Sequence, residues 1–412
     1  MDNLSHSVAG LAVGELVHRA LREEPYIGRQ RLRRRLLLAS GWLASNIPDL
    51  DIILTPLLPE PLGYLLHHRG YTHTLLYILP QALLVWGGIW LFWPSARSLL
   101  RVSAMARKGF VSCLVASFAV HLLMDYLNSY GLHPFHPFES RWFYGDMVFI
   151  VEPLFWVPFG VPLILMIRRG WLKGGLLLLL AASLLFFTLK GFLAWPSLLF
   201  LGAVGAIIGM VQYKGRSNGA FILAATVSIL FVGMQYMASL QADSLVRASE
   251  QGGNASAGIV DVSLTPFPSN PVCWNFISIE SREREGVYLM KRGILSLAPD
   301  MQPPSSCPSG FSAPSGQHPL NRSMALLSEE KGSLERLRRL KADNCYFEAW
   351  LRFARVPSIG ESEASDLRFA YGERGNFTSM DLEKLAGHSC PTHIPRWGFP
   401  RADLLMQSGA RE

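Results

Sequence analysis

Phe110–Asn128 is an apolar run that ends in His121-Leu-Leu-Met-Asp125-Tyr-Leu-Asn128. Its length and hydrophobicity mark a membrane helix. Its two ionisable residues show what that helix carries. A histidine and a carboxylate four apart on a helix sit about 40° apart around the axis, so both face one way. Among Val, Leu, Ala and Phe, an unpaired charge there is costly. A neutral imidazole and a carboxylate are also ordinary ligands for zinc and similar metals. Taken alone, the pair is equally consistent with a buried hydrogen bond joining two helices. The rest of residues 1–155 tips the balance, because it repeats the same chemistry.

Half of the 412 residues are hydrophobic, and the mean hydropathy is +0.23. That is too apolar for an ordinary soluble chain and too polar for one lying wholly in the bilayer. Residues 1–240 carry 19 Lys+Arg and 11 Asp+Glu, whereas residues 241–412 carry 19 and 20. The basic excess therefore belongs to the apolar half, where it sets topology rather than nucleic-acid binding. The expected architecture is mainly α. Residues 1–240 form a helical membrane domain, 241–265 a linker, and 266–412 a small soluble α+β domain. Cys113 lies in an apolar helix, and Cys273, Cys307, Cys345 and Cys390 lie in the polar half. No CxxC occurs, so a structural zinc site is not expected there. Two disulfides are allowed, in any of three pairings, if that domain faces an oxidising compartment; free buried thiols are the other possibility.

The N-terminus lacks a basic stretch and makes a poor signal peptide. Ser5 before an apolar periodic run suggests a helix over about residues 5–21. A short apolar helix, Leu36–Ala44, follows Arg29, Arg31, Arg33, Arg34 and Arg35. Pro48 places Asp49 and Asp51 at a helix-to-loop break. Six spans are predicted, at about 74–93, 110–128, 147–167, 172–190, 192–212 and 219–240. The loops 94–109, 168–173 and 213–218 hold Arg97, Arg101, Arg107, Lys108, Arg168, Arg169, Lys173, Lys214 and Arg216. Alternating spans put all three on one side, which the positive-inside rule makes cytoplasmic. The C-terminal domain then falls on the extracytoplasmic side. In that domain, Gly252–Gly258 suggests a linker, Cys273–Glu280 and Gly286–Lys291 two strands, Pro299–Pro319 a loop, Ser323–Lys341 helical spacing and Asp366–Tyr371 a late strand.

Ionisable groups inside or beside spans cluster in this chain. His68-Arg-Gly-Tyr-Thr-His73 precedes a long apolar helix. Its two histidines converge only if His68 stays in the loop and His73 enters the first turn, a bend that Gly70 permits. Asp146 and Glu152 bracket the start of the third predicted span; Asp146 also suits a helix N-cap. His133 and His136 each precede proline and are either ligands or rim residues. Insertion scales put an acid near mid-span at about 2.5–3.5 kcal/mol, so several need a cation, an arginine or a proton. The candidate metal ligands are His6, Asp49, Asp51, His68, His73, His121, Asp125, Asp146 and Glu152. These exceed one tetrahedral ion and suit two or three. Adjacent metals polarise a phosphoryl oxygen and activate water. Arg69 or Arg141 then holds a phosphate bidentately. Asp49, Asp51, Arg69 and Arg141 are the candidate catalytic residues.

Asp2-Asn-Leu-Ser-His6, Pro48-Asp-Leu-Asp51, His68-Arg-Gly-Tyr-Thr-His73, His121-Leu-Leu-Met-Asp125 with Tyr130-Gly131, and Glu152-Pro153 together resemble the bacterial membrane-bound metal-dependent hydrolases of the LexA-regulated, YdjM-like type. The resemblance covers about residues 1–155 closely. It implies a distant similarity to zinc-dependent phospholipase C and P1-type nucleases, helical enzymes that act on phosphodiesters through a zinc cluster. His121 and Asp125 then match the His-x-x-x-Asp ligand pair, with Asp49 or Asp51 and His68 or His73 supplying further ligands. The chain departs in having Glu152 where the family usually has Asp before Pro, and Ser5 for Thr.

The expected protein is a bacterial inner-membrane hydrolase. Its cofactor is a divalent metal, zinc first and manganese or magnesium as alternatives. Its partners are the lipid bilayer and a phosphodiester or phospholipid substrate, with no nucleic acid binding expected from charge. Two other classes fit the same residues. A metal or proton transporter needs polar residues continuing to the cytoplasmic face, and spans 172–190 and 219–240 offer almost none. A non-catalytic scaffold uses its metal for stability alone.

Overall fold

The computed structural model describes residues 1–251, 258–308, 318–370, 376–385 and 388–406. Two helices open the chain, α1 (Asn3–Ala20) and α2 (Ile27–Asn46). The cap of α1 is Asp2, whose carboxylate accepts from the Ser5 amide at 2.9 Å. The arginines at 29–35 lie inside α2, which is longer than the Leu36–Ala44 stretch suggested. The two helices cross with almost no gap. A Cβ at Gly10 would come within 2.4 Å of the Gly41 carbonyl, and one at Gly41 within 2.2 Å of the Gly10 carbonyl. Glycine–glycine crossings of this kind are how backbones approach closely in a bilayer, where helix association has no hydrophobic driving force.

A 3₁₀ segment, Ile47–Leu57, follows α2 and leads to α3 (Leu62–His67). Then come α4 (Leu75–Phe92), the short basic α5 (Pro94–Val102) and α6 (Ala104–Tyr126). Thr74 and Ser103 cap α4 and α6 with their side chains. The bundle continues with α7 (Pro153–Leu165), α8 (Gly170–Leu189), α9 (Trp195–Tyr213) and α10 (Ser217–Gln251). Among the described residues, five helices are long and apolar enough to cross a membrane: α4, α6, α8, α9 and the Asn218–Ser249 part of α10.

The predicted span 147–167 is shortened to α7. Only thirteen of its residues are helical, about 20 Å at 1.5 Å per residue, against a hydrocarbon core of about 30 Å. Asp146 takes a left-handed backbone (φ 51°). Pro153 then fixes the first helical position, and Glu152 caps it by accepting from the Leu154 amide. Most of α7 is buried within the bundle, and it runs from the Ser269 end to the opposite end, where Met166 meets Arg19 and Arg34.

The linker expected over 241–265 is also corrected. Residues 241–251 continue α10 and Gly258–Pro266 forms β1, so of the Gly252–Gly258 stretch only Gly258 lies within the described residues. Strands β2 (Cys273–Arg282) and β3 (Val287–Ser296) pair antiparallel, as their alternation suggested. With β4 (His318–Pro319) and β5 (Met324–Ser333) they form a five-stranded sheet ordered β1-β2-β3-β5-β4. The helical spacing assigned to Ser323–Lys341 holds only for α11 (Leu334–Asp343), which Ser333 caps. Pairing with β3 draws Met324–Ser333 into the sheet. The short α12 (Cys345–Leu351) and a three-stranded sheet, β6 (Pro357–Ile359), β7 (Glu363–Asp366) and β8 (Met380–Asp381), complete the domain. The late strand expected at Asp366–Tyr371 thus ends at Asp366, and Tyr371 lies outside the described residues. Disulfides join Cys273 to Cys307 and Cys345 to Cys390, and Cys113 is a buried free thiol.

The C-terminal domain sits on the bundle end where α6 finishes. Leu62, Leu65 and Leu66 of α3, with Tyr130 and Trp142, share one apolar core with Trp350, Phe353 and Trp397. Arg355 reaches across to Asp146 at 2.8 Å and holds Asp261 at 2.7 Å. Arg368 donates to the Ser129 carbonyl at 2.6 Å.

Candidate metal centre

Three elements bring four side chains to one point. Asp49 comes from the 3₁₀ segment after α2, His73 from the turn before α4, and His121 and Asp125 from the last turns of α6. One ligand atom from each of these four residues lies within 4.8 Å of all the others, and every one of the residues is buried. His73 Nε2 is 3.2 Å from Asp49 Oδ1 and 3.0 Å from Asp125 Oδ2. His121 Nε2 is 3.3 Å from Asp125 Oδ2 and 3.0 Å from His73 Nε2.

The outer partners decide which way the lone pairs point. His121 Nδ1 lies 2.8 Å from the Ser45 carbonyl. A carbonyl only accepts, so Nδ1 carries the proton and Nε2 turns a lone pair inward. His73 Nδ1 lies 3.0 Å from Thr72 Oγ1, which itself donates to Asp51 Oδ2 at 2.5 Å. The Thr72 hydroxyl is thereby left to accept from His73 Nδ1, and the His73 Nε2 lone pair also faces the cluster. Two imidazole nitrogens and two carboxylate oxygens then converge as acceptors with no donor among them. Such a set requires a cation at its centre: a proton on His73 or a metal ion. Without metal, burial works to lower the His73 pKa. Hydrogen bonds with Asp125, Asp49 and Asp51 outweigh it, and His73 is pushed up to about 10. Burial likewise works to raise Asp49, and the His73 hydrogen bond and nearby His121 hold it below the usual carboxylate range. An N₂O₂ set of two neutral imidazoles and two carboxylates fits a four-coordinate zinc-type ion.

Asp51 and His68 stand just outside this set. Asp51 accepts from His68 Nδ1 at 3.0 Å, the Arg69 amide at 2.9 Å and Thr72. It anchors the loop that presents His73. The left-handed residue of the bend is Arg69 (φ 57°), not Gly70. Gly70 matters for closeness: a Cβ there would meet the Leu66 and His67 carbonyls at 2.9 Å and Trp397 at 3.3 Å. The Arg69 guanidinium is buried, pairs with Asp125 Oδ1 at 2.7 Å and lies 4.6 Å above the Tyr130 ring. His6 stacks on His121 with ring centroids 4.0 Å apart, and its Nε2 is 3.3 Å from Asp125. The Met1 amino group also pairs with Asp125.

Three expected site residues are placed elsewhere. Asp146 is committed to Arg355. Glu152, fully buried, caps α7 and accepts from the Ser269 amide at 3.0 Å and from its hydroxyl; burial pushes its carboxyl up to about 7 against those bonds. Arg141 is exposed and pairs with Glu139. The reason is common to all three. The non-helical stretch after α6 turns toward the C-terminal domain, not back over the cluster. His133 and His136 form an aromatic wall with Trp397, at ring-centroid distances of 4.3 and 5.9 Å. Sequence reasoning missed Ser45, Thr72 and Asn128 as outer partners. Asn128, which accepts from Arg69 at 3.2 Å, lies three residues beyond Asp125, just past the end of α6.

Residues 1–196 match the family model described as YdjM inner membrane protein. All four residues of the cluster fall inside that stretch, and the sheet domain lies beyond it. A curated relative, the "Uncharacterized protein YfhP" of Bacillus subtilis (strain 168), is 24% identical over 157 residues, 38% of this chain and 43% of that protein. The chain therefore spans less than half the length of this relative. No solved structure matches. None of these comparisons carries the similarity to phospholipase C or P1-type nucleases.

Proposed function

We propose that this YdjM-like chain is a membrane-bound metal-dependent hydrolase of phosphodiester or phospholipid-type substrates. One observation supports it above the others: four buried acceptors, from Asp49, His73, His121 and Asp125, face a single point. A divalent ion bound there, zinc by ligand type, supplies a Lewis acid for a phosphoryl oxygen and makes water acidic enough to ionise near neutral pH. The chain's own residues do the rest. Ser45 and Thr72 hold the two imidazoles in the tautomer that turns Nε2 inward. Asp51 fixes the loop between them. Arg69, held against Asp125 and Tyr130, would compensate charge developing on a phosphate. The buried setting excludes bulk water and strengthens each of these interactions.

The cluster lies at the end of α6 opposite Arg107 and Lys108, so the positive-inside rule favours an extracytoplasmic site. The two disulfides of the adjoining domain favour the same side. The test is elemental analysis of purified wild-type protein beside Asp125→Ala, followed by hydrolysis of bis(p-nitrophenyl) phosphate and of phospholipid vesicles. Near-stoichiometric zinc or manganese, lost in the variant together with turnover, is expected. Wild-type protein without metal, or turnover unchanged in Asp125→Ala, would overturn the proposal.

A further inference from the structure

A groove of about 450 Å³ runs between α2 and α4, lined by Leu43, Ile47, Val85, Gly88, Ile89 and Phe92. Its size lies within the range of about 300–1,000 Å³ typical of small-molecule sites. It exists because α4 stands at the margin of the bundle, with 11% of its apolar window buried against 56% for α6. Gly88 leaves the middle of the groove open, since a Cβ there would meet nothing within 4 Å. All of its α4 side belongs to a membrane span, so hydrocarbon is what covers it.

The groove and the metal centre share the 3₁₀ segment Ile47–Leu57. Ile47 lines the groove and lies two residues before Asp49 of the cluster. From Ile47 onward the 3₁₀ segment divides its faces. Asp49 and Asp51 turn inward, while Leu50, Ile52, Ile53, Leu54 and Leu57 are 42–71% exposed. A contiguous aliphatic patch of this kind marks a surface that meets lipid. The opposite approach is closed by the C-terminal domain. Trp397 packs on Tyr71, and Phe377 packs on Tyr64 and Tyr130. The side of the cluster that offers a path is therefore the one facing the bilayer.

We infer that a bilayer lipid lays one hydrocarbon chain in the α2–α4 groove and presents its phosphate-ester head to Asp49 sideways, across Ile47–Leu57. Substrate would then reach the centre from within the membrane leaflet and not from water. Moving a chain from bilayer to groove exchanges one hydrocarbon contact for another. The groove therefore orients the lipid more than it binds it, and the head group supplies selectivity. Only the identity of the reacting head rests on the proposed hydrolysis.

The experiment uses the full chain in phosphatidylethanolamine–phosphatidylglycerol vesicles containing phosphatidylglycerol with a diazirine midway along one acyl chain. After irradiation, label should concentrate on residues 43–47 and 84–93. Gly88→Phe should lose that label. Gly87→Phe should keep it: position 87 sits about 100° away around the helix, and a Cβ there also meets nothing within 4 Å. Label spread evenly over α8 and α9, or unmoved by Gly88→Phe, overturns the inference. The two proposals fail separately. Groove labelling without any turnover keeps lipid docking and removes hydrolysis. Cleavage of soluble diesters with uniform labelling keeps hydrolysis and removes lateral docking.

Discussion

His73 and His121 bring their Nε2 atoms to 3.0 Å of one another although each has an outward partner for Nδ1. Two neutral imidazoles so arranged oppose lone pair to lone pair, beside two carboxylates. The contact is tolerable only with positive charge between the rings, and that requirement makes the cluster's behaviour depend on pH and on metal.

In metal-free protein the charge is a proton on His73, whose pKa rises from 6.5 to about 10. A histidine with a raised folded-state pKa contributes stability that is complete below its unfolded value and disappears as pH climbs through the folded one. Chelator-treated wild type should therefore exceed a His73→Gln variant in Tm at about pH 6, and the gap should close toward about pH 10. Metal-loaded wild type should not follow this curve, because the ion displaces the proton and binds better as pH rises. Thermal melts across that range check it. A gap that widened with pH would refute protonation of His73.

Asp51 tests whether the outer partners matter. It binds no common point with the four inner residues, yet it receives His68, Thr72 and the Arg69 amide. Loss of such a partner typically weakens metal affinity about 10–100-fold. Asp51→Asn should show a loss of that order in chelator competition, while Asp49→Asn should fail to retain metal at all. Equal losses from both would make Asp51 a ligand, and no loss would make the loop anchor irrelevant.

How much was legible in the sequence follows from how local each signal was. His121 and Asp125 share a helix, so spacing alone put them on one face. His68 and His73 needed a bend, which the motif suggested but assigned to Gly70; the backbone turns at Arg69. Asp146 and Glu152 failed because helical periodicity was extended through a stretch that Pro153 and the Asp146 backbone do not allow. Their acids answer instead to Arg355 and Ser269, residues more than a hundred positions away. The strand at Met324–Ser333 was hidden for a related reason: its leucines and charges suit a helix until β3 offers an edge. Long-range pairing of this kind leaves little trace in a local pattern.

The α1–α2 crossing should be intolerant of any side chain. Gly10→Val would drive methyl groups into the Gly41 carbonyl and Ser45, both within 2.5 Å of the first added carbon. Overpacking typically costs about 1–3 kcal/mol, and here it also shifts Ser45, the partner of His121. The variant should melt earlier and hold metal less tightly. Gly28→Ala, where nothing lies within 4 Å, should match wild type in both measurements.

Arg355 couples the two halves of the chain. It lies between Asp146 and Asp261, with Tyr144 stacked 4.0 Å below its guanidinium. Burial already pushes Asp146 up to about 6, against the pull of Arg355. Arg355→Ala leaves the buried Asp146 unpaired and Asp261 with Arg401 alone, and breaking a buried pair costs about 3–5 kcal/mol. Asp146 then rises further and takes up a proton more readily. An acid with a raised folded-state pKa is stabilising at low pH, and that contribution is lost as pH increases. The Arg355→Ala deficit should therefore be larger at about pH 8 than at about pH 5. Limited proteolysis of the C-terminal domain at the two pH values measures it. Asp146→Asn placed in the Arg355→Ala background should remove much of the difference. A deficit independent of pH would mean that Arg355 acts through its packing on Tyr144 and not through charge.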